Sequence, residues 1–201
     1  MRMRVNRFEQ HVYETVRAAL DEIDAADMPE IYALSFFLQD GEERAPAMWF
    51  GYNTHTQARS STPAQGEAAG WPIASDIGEA TWNYAFWLQN TLAFVGEPGS
   101  HGQGVLIEVM REEGLWYTEE EAAADPDRCM RLDDRMHERF ADMCATAARA
   151  LHANGVIAAR FGKTIPIVVH ELDYYDRIVD LTQAANPSGI AARFVDWVRS
   201  L

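Results

Sequence analysis

Lysine is nearly missing from this chain. Of its 17 basic residues only Lys163 is a lysine, and 31 acidic residues leave a formal net charge of −14. A protein that tracks a nucleic-acid backbone needs a field of the opposite sign, so nucleic acid is not an expected partner. Cysteine is almost as scarce. Cys129 and Cys144 are too few for a disulfide scaffold, and with no second pair they form no zinc pattern. A reducing cytoplasm is the expected setting. No run of 18 apolar residues occurs, so no membrane span or membrane partner is expected. The opening MRMRVNRFEQHVYE reaches Glu9 without an apolar block, which argues against a secretory signal. Also missing are a glycine-rich strand-to-helix turn, a lysine-bearing phosphate loop and a G-x-S-x-G elbow. Gly99, Gly102 and Gly104 share one loop without the lysine that phosphate binding needs. No cofactor and no metal are expected.

What is present suits a folded globule. The 201 residues are 48% hydrophobic and 11% aromatic, and a chain of this length buries roughly 70% of its unfolded surface. Val5, Phe8, Val12, Val16, Leu20 and Ile23 step by three or four and predict a helix over 5–24. IYALSFFLQ is apolar on both sides, as an interior strand is. Asp40-Gly41 then predicts a hairpin into AMWFGYN. Residues 54–75 read as a long surface loop anchored by Trp71, and 77–95 as a helix crowded with aromatics. Residues 96–103 read as a loop, and 104–110 as a strand or a helix start. A short helix is expected over Glu119–Ala124 and a long one over 130–153, stopped by Asn154-Gly155. IPIVVHEL reads as a buried strand, and a last helix as running from Pro187-Ser188 to Val198. No repeat or linker divides the chain. The expected fold is one α+β domain over 1–201, a mainly antiparallel sheet with packed helices.

Two polar features stand out. Residues 104–142 hold twelve acids against five arginines, a net of −7. Glu112, Glu113, Glu119, Glu120, Glu121, Asp125 and Asp127 form the centre of that patch. It either serves solubility or meets a basic protein partner, and interspersed arginines would flatten its field. The second feature is His170-Glu171-Leu172-Asp173-Tyr174-Tyr175-Asp176-Arg177, at the end of a strong strand, where sites gather in sheet proteins. Asp173 and Asp176 are binding candidates there. With His170 they could hold a divalent metal or act as acid and base, the pattern of a small hydrolase or metal-dependent enzyme. The plainer alternative makes Asp173 the cap of a helix over 174–184, with Asp176 in its first turn. The remaining histidines are scattered: His11, His137 and His152 on predicted helices, His55 and His101 in predicted loops. No catalytic residue can be nominated, and a protein-binding module is the expected class.

The early IYALSFFLQDG strand, the GEATWNYAFW segment, the GVIAARFG turn, the IPIVVHELDYYD strand and the NPSGIAARFVDW helix are spread over nearly the whole chain. Together they resemble the bacterial domain of unknown function 4303 family, with Trp82, Tyr84, Asp173, Asn186 and Pro187 carrying most of the likeness. None of these pieces is a catalytic motif. The resemblance implies an α+β domain without established enzymatic activity. Because some members of that family are predicted immunity proteins of polymorphic toxin systems, it also implies a toxin as partner, and the acidic patch makes a basic toxin the expected kind.

Overall fold

The computed structural model describes residues 6–41, 45–62 and 73–201. Helix α1 (Arg7–Asp21) begins at a capping box, in which the Asn6 side chain accepts from the Glu9 amide and the Glu9 carboxylate accepts from the Asn6 amide. Its stripe of Phe8, Val12, Val16 and Leu20 is buried, as the spacing predicts; Val5 lies outside the described residues. Strand β1 (Ile31–Gln39) is apolar on both sides because it is interior. The sheet order is β3-β2-β1-β4. Strand β2 (Ala47–Thr54) returns antiparallel to β1 through the predicted hairpin, with Phe36 opposite Phe50. Strand β3 (Ala93–Val95) adds antiparallel to β2, and β4 (Ile167–His170) adds parallel to β1. The sheet is therefore mixed and mostly antiparallel, and the fold is α+β. Gly51 sits against the Asn90 carbonyl so closely that a Cβ would collide with backbone, and the Asn90 side chain accepts from the Tyr52 amide at 2.9 Å.

Several elements differ from the sequence expectation, each for a local reason. The stretch 54–75 opens with a helix, α2 (His55–Ser60), because the Thr54 hydroxyl accepts from the Gln57 amide at 3.1 Å. His55 is therefore helical, and the expected anchor Trp71 lies outside the described residues. The expected helix over 77–95 is cut short. Asp76 caps α3 (Ile77–Trp82), but the Asn83 side chain accepts from the Ala85 amide and restarts the chain as a 3₁₀ turn over Tyr84–Phe86. Gln89 then takes a φ of 54°, and the chain leaves toward β3. Ser100 caps α4 (His101–Glu112), which settles 104–110 as helix and places His101 on it. Helix α5 (Glu119–Ala124) forms where expected. Helix α6 (Pro126–Ala153) starts earlier than residue 130, since Asp125 caps it and Pro126 takes its first position. Gly155, at φ 73°, ends α6 as predicted, and the GVIAARFG segment is not a bare turn but carries α7 (Val156–Phe161). Helix α8 (Asp176–Ala185) follows β4. Asp173 does not cap it; Tyr175 occupies that position, and its side chain makes no bond to the helix's first amides. Helix α9 (Ala192–Val198) starts later than expected, after a turn at Pro187–Ala191.

The sheet has two differently furnished faces. Ser35, Phe37 and His170 share one, covered by Tyr84, Trp87 and Tyr174, whose rings surround that of His170. The other carries Leu34, Phe36, Leu38 and Phe50, and its cover is α1 and α6, joined through the rings of Phe8 and Phe140 at 5.5 Å. Strand β4 is an edge, but α8 closes it. Thr182 accepts from the Val169 amide at 3.1 Å and donates to the Val169 carbonyl at 3.0 Å. Asn186 accepts from the Ile167 amide at 2.9 Å and donates to the Ile167 carbonyl at 2.7 Å. Two side chains one helical turn apart thus do the work of a fifth strand and remove a pairing edge.

Candidate functional site

Because β1 and β4 are parallel, their carboxyl ends open on the same side of the sheet, the position where sheet proteins commonly bind ligands. A cleft of about 810 Å³ lies there. Phe37, Leu38 and Phe140 line its apolar base, all nearly inaccessible themselves. One wall is α6, whose Asp133 and His137 stand one turn apart, as do Asp134 and Glu138. The other is the link from β4 to α8, with Glu171, Leu172, Asp173, Tyr175 and Arg177. Asp40 closes the end of β1.

The charge in the cleft is one-sided. Six carboxylates (Asp40, Asp133, Asp134, Glu138, Glu171 and Asp173) share the lining with a single guanidinium, Arg177. Three of the six are already engaged. Asp40 meets His137 Nε2 at 3.0 Å, and the Nδ1 of the same ring faces the Asp133 carbonyl at 2.9 Å, which ties the end of β1 to α6. Asp133 accepts from the Tyr117 hydroxyl at 2.7 Å. Glu171 accepts from the Tyr175 hydroxyl at 2.9 Å, and burial together with that carboxylate pushes the Tyr175 phenol up to about 12. Arg177 is spent on the α6 wall, donating to the Glu138 carbonyl at 3.1 Å and pairing with Asp142 at 3.2 Å. Among the described residues the carboxylates of Asp134, Glu138 and Asp173 have no partner. At the mouth stand two exposed large hydrophobics: Leu172 is 72% exposed and Tyr175 44%.

The strand-end cluster read from the sequence is divided by the fold. Glu171, Asp173, Tyr175 and Arg177 reach the cleft, while Asp176 lies in the first turn of α8 and does not line it. His170 is turned the other way, 1% exposed beneath the aromatic cover. Its Nε2 lies 2.8 Å from Ser35 Oγ and its Nδ1 3.1 Å from the Glu171 carbonyl. A carbonyl can only accept, so Nδ1 carries the proton and Nε2 accepts from the serine. That is the hydrogen-bond direction of a nucleophile with its base. Ser35, at 2% exposed, is nonetheless sealed in the sheet, so no substrate atom reaches the pair. His170, Asp173 and Asp176 do not converge, and among the described residues no group of three metal-ligating side chains forms. Cys129 and Cys144 are both buried, and desolvation drives the Cys144 thiol well above its usual range.

The acidic patch read from 104–142 is partly neutralised. Glu112 pairs with Arg7 at 2.6 Å. Glu113 holds Arg139 through two bonds of 2.8 and 2.9 Å, and the Arg139 guanidinium lowers the Glu113 carboxyl below its ordinary value. Glu121 serves in the α5 capping box with Thr118 and lies 3.8 Å from Arg128. Asp125 caps α6. Glu119, Glu120 and Asp127 sit exposed in the first turns of α5 and α6. Asp40, Asp134 and Glu138 were missed as site residues. Asp134 and Glu138 carried a signal, since with Ala141 they step along the α6 face beside Phe140; Asp40 carried only that of a turn. Among the described residues no helix is long and apolar enough to cross a membrane. Compared with known proteins, the chain matches no family model, no curated protein and no solved structure.

Proposed function

We propose that this protein is a non-enzymatic binding module for a basic protein, and that the cleft at the carboxyl ends of β1 and β4 is where the partner docks. The observation that carries this reading is the cleft itself: an apolar base, six carboxylates and one already committed arginine. Such a site attracts cationic groups and repels nucleic acid. The exposed acids of α5 and of the start of α6 extend the negative field beyond the cleft, where they act on encounter rather than on the bound state. The resemblance to the domain of unknown function 4303 family supports a toxin-immunity role, with a basic toxin such as a nuclease as partner. A protein that silences a basic enzyme by covering it needs charge, shape and fast association, and no catalytic group of its own.

The test begins with basic products of neighbouring genes, purified and mixed with this protein in stopped flow. Association with the true partner is expected to slow roughly tenfold between 50 and 200 mM salt, as steered encounters do. Charge reversal of Glu119, Glu120 and Glu121 to lysine is expected to slow it roughly threefold or more at low salt, with little change in dissociation. A rate indifferent to salt and to these changes would remove the electrostatic reading.

A further inference from the structure

Resting on that reading, we infer that the cleft is an arginine receptor: it takes an arginine side chain of the partner, flanked by an apolar residue that lies on Leu172. Three features of the site select this occupant. The first is the free valence of the walls. Asp134 and Glu138 on α6 and Asp173 across the cleft have no partner among the described residues, while Asp40, Asp133 and Glu171 are held by His137, Tyr117 and Tyr175. The engaged acids are fixed in place by those bonds, and the free ones are left to answer a ligand. A guanidinium offers five donors in one plane and can meet carboxylates on two walls at once, whereas an ammonium meets them as a point charge.

The second feature is the rim. The Tyr175 ring is anchored by its bond to Glu171 yet 44% exposed, so it presents a fixed aromatic face at the mouth. Guanidinium groups stack on such faces and keep their in-plane hydrogen bonds while doing so. The third is the apolar surface. Leu172, at 72% exposed, projects beside the entrance, and Phe37, Leu38 and Phe140 form the base. That combination suits the long methylene stem of arginine and a neighbouring aliphatic side chain better than a hydrated metal ion, which would need several converging oxygens. The volume of about 810 Å³ falls within the range of about 300–1,000 Å³ that ligand sites occupy. Arg177 does not fill this role from within, because its guanidinium is bound to the Glu138 carbonyl and to Asp142.

The experiment uses the full chain and two fluorescein-labelled, end-capped nonapeptides of one sequence, with a central leucine and three arginines in one and three lysines in the other. Fluorescence anisotropy at 50 mM salt gives the affinities. The arginine peptide is expected to bind at least about fivefold more tightly than the lysine peptide. The triple variant Asp134→Asn, Glu138→Gln, Asp173→Asn is expected to weaken arginine-peptide binding at least about tenfold. A control triple variant with the same change of charge, Asp21→Asn, Glu22→Gln, Asp196→Asn, is expected to change it less than about twofold. Tyr175→Ala is expected to bring the arginine preference down toward one, and Leu172→Ser to weaken both peptides. All substituted positions are exposed, so thermal melts should show the fold retained. Equal weakening by the two triple variants overturns the receptor and leaves the basic-partner reading standing, since a diffuse field would then suffice. Equal affinity for the two peptides overturns the arginine assignment. Failure of both peptides to bind overturns it as well, while the salt-dependent encounter with a whole partner is judged separately. Concentration-dependent dimerisation in light scattering that Leu172→Ser abolishes would show a second copy on this face and overturn it too.

Discussion

Asn186→Ala is expected to destabilise the protein by about 3–5 kcal/mol, more than its single small side chain suggests. The Asn186 amide serves four groups at once, three of them buried and the fourth, His152, half-buried. Its oxygen accepts from the Ile167 amide at 2.9 Å and faces His152 Nε2 at 3.0 Å. Its nitrogen donates to the Ile167 and Thr182 carbonyls, both at 2.7 Å. The reverse orientation would set donor against donor at Ile167, so the assignment is determined by the neighbours. The oxygen is then the acceptor for His152 as well, which makes Nε2 the protonated nitrogen of that ring. Truncation strands an N–H and two carbonyls away from water and deprives the half-buried His152 of its acceptor. Each stranded group costs about 1–3 kcal/mol, and a cavity of about 340 Å³ beside Asn186 lets water recover part of the loss. Asn186→Asp separates hydrogen bonding from volume. It keeps the shape but turns a carboxylate on two carbonyls, so it is expected to be at least as damaging at neutral pH and to recover partly in acid, where the protonated form regains one donor. Urea melts of both variants at two pH values check this. A loss below about 1 kcal/mol in the alanine variant would mean that β4 holds its edge without α8.

The same residue shows what the sequence could convey. IPIVVHEL was legible as a strand, but nothing in the spacing said that the Asn186 side chain replaces a neighbouring strand. Strong periodic elements were legible because one physical effect dominates them. The stripe of α1, the two apolar faces of β1 and the long run of α6 each follow from burial repeated along the chain. Elements decided by a single local bond were not. The Asn83 side chain breaks a helix that the aromatic spacing of 77–95 supports, and Thr54 starts one in a stretch that reads as loop. Long-range pairing sets the rest. Residues 93–95 become a strand only because β2 is there to receive them.

The candidate site follows the same division. The chain after β4 was legible as a polar cluster at a strand end, and Glu171, Asp173, Tyr175 and Arg177 do line the cleft. Its partners from β1 and α6 lie at least thirty residues away in sequence, so their convergence belongs to the tertiary fold. His170 illustrates the reverse error. Adjacency in sequence joined it to Asp173 and Asp176, but successive residues of a strand point to opposite faces, and the pleat sends its ring beneath Tyr84 and Tyr174.

That burial makes His170 the expected source of an acid weakness. Desolvation lowers its imidazole from 6.5 to about 4, only partly offset by the bond to the Glu171 carbonyl. The folded state therefore holds the ring neutral across a range in which the unfolded chain takes up a proton. The unfolded state binds more protons between about pH 4 and 6.5, so stability falls as pH falls through that window and is fully present above it. The full difference amounts to about 3 kcal/mol, of which about 2 kcal/mol should be lost between pH 7 and pH 5. His11 and His152 are lowered by burial as well and add in the same direction. Glu113, whose carboxyl is lowered by Arg139, contributes only nearer the carboxylate range, so it does not confuse the upper part of the window. His170→Gln removes the titration and leaves a neutral amide in place of the imidazole. Whatever the substitution does to stability at pH 7, it is expected to flatten the change between pH 7 and pH 5 by about 2 kcal/mol relative to the wild type. Urea melts at half-unit steps give the two slopes, and a native-state imidazole resonance assigned to His170, by its loss in His170→Gln, that titrates near 6.5 would show this ring open to solvent and end the argument.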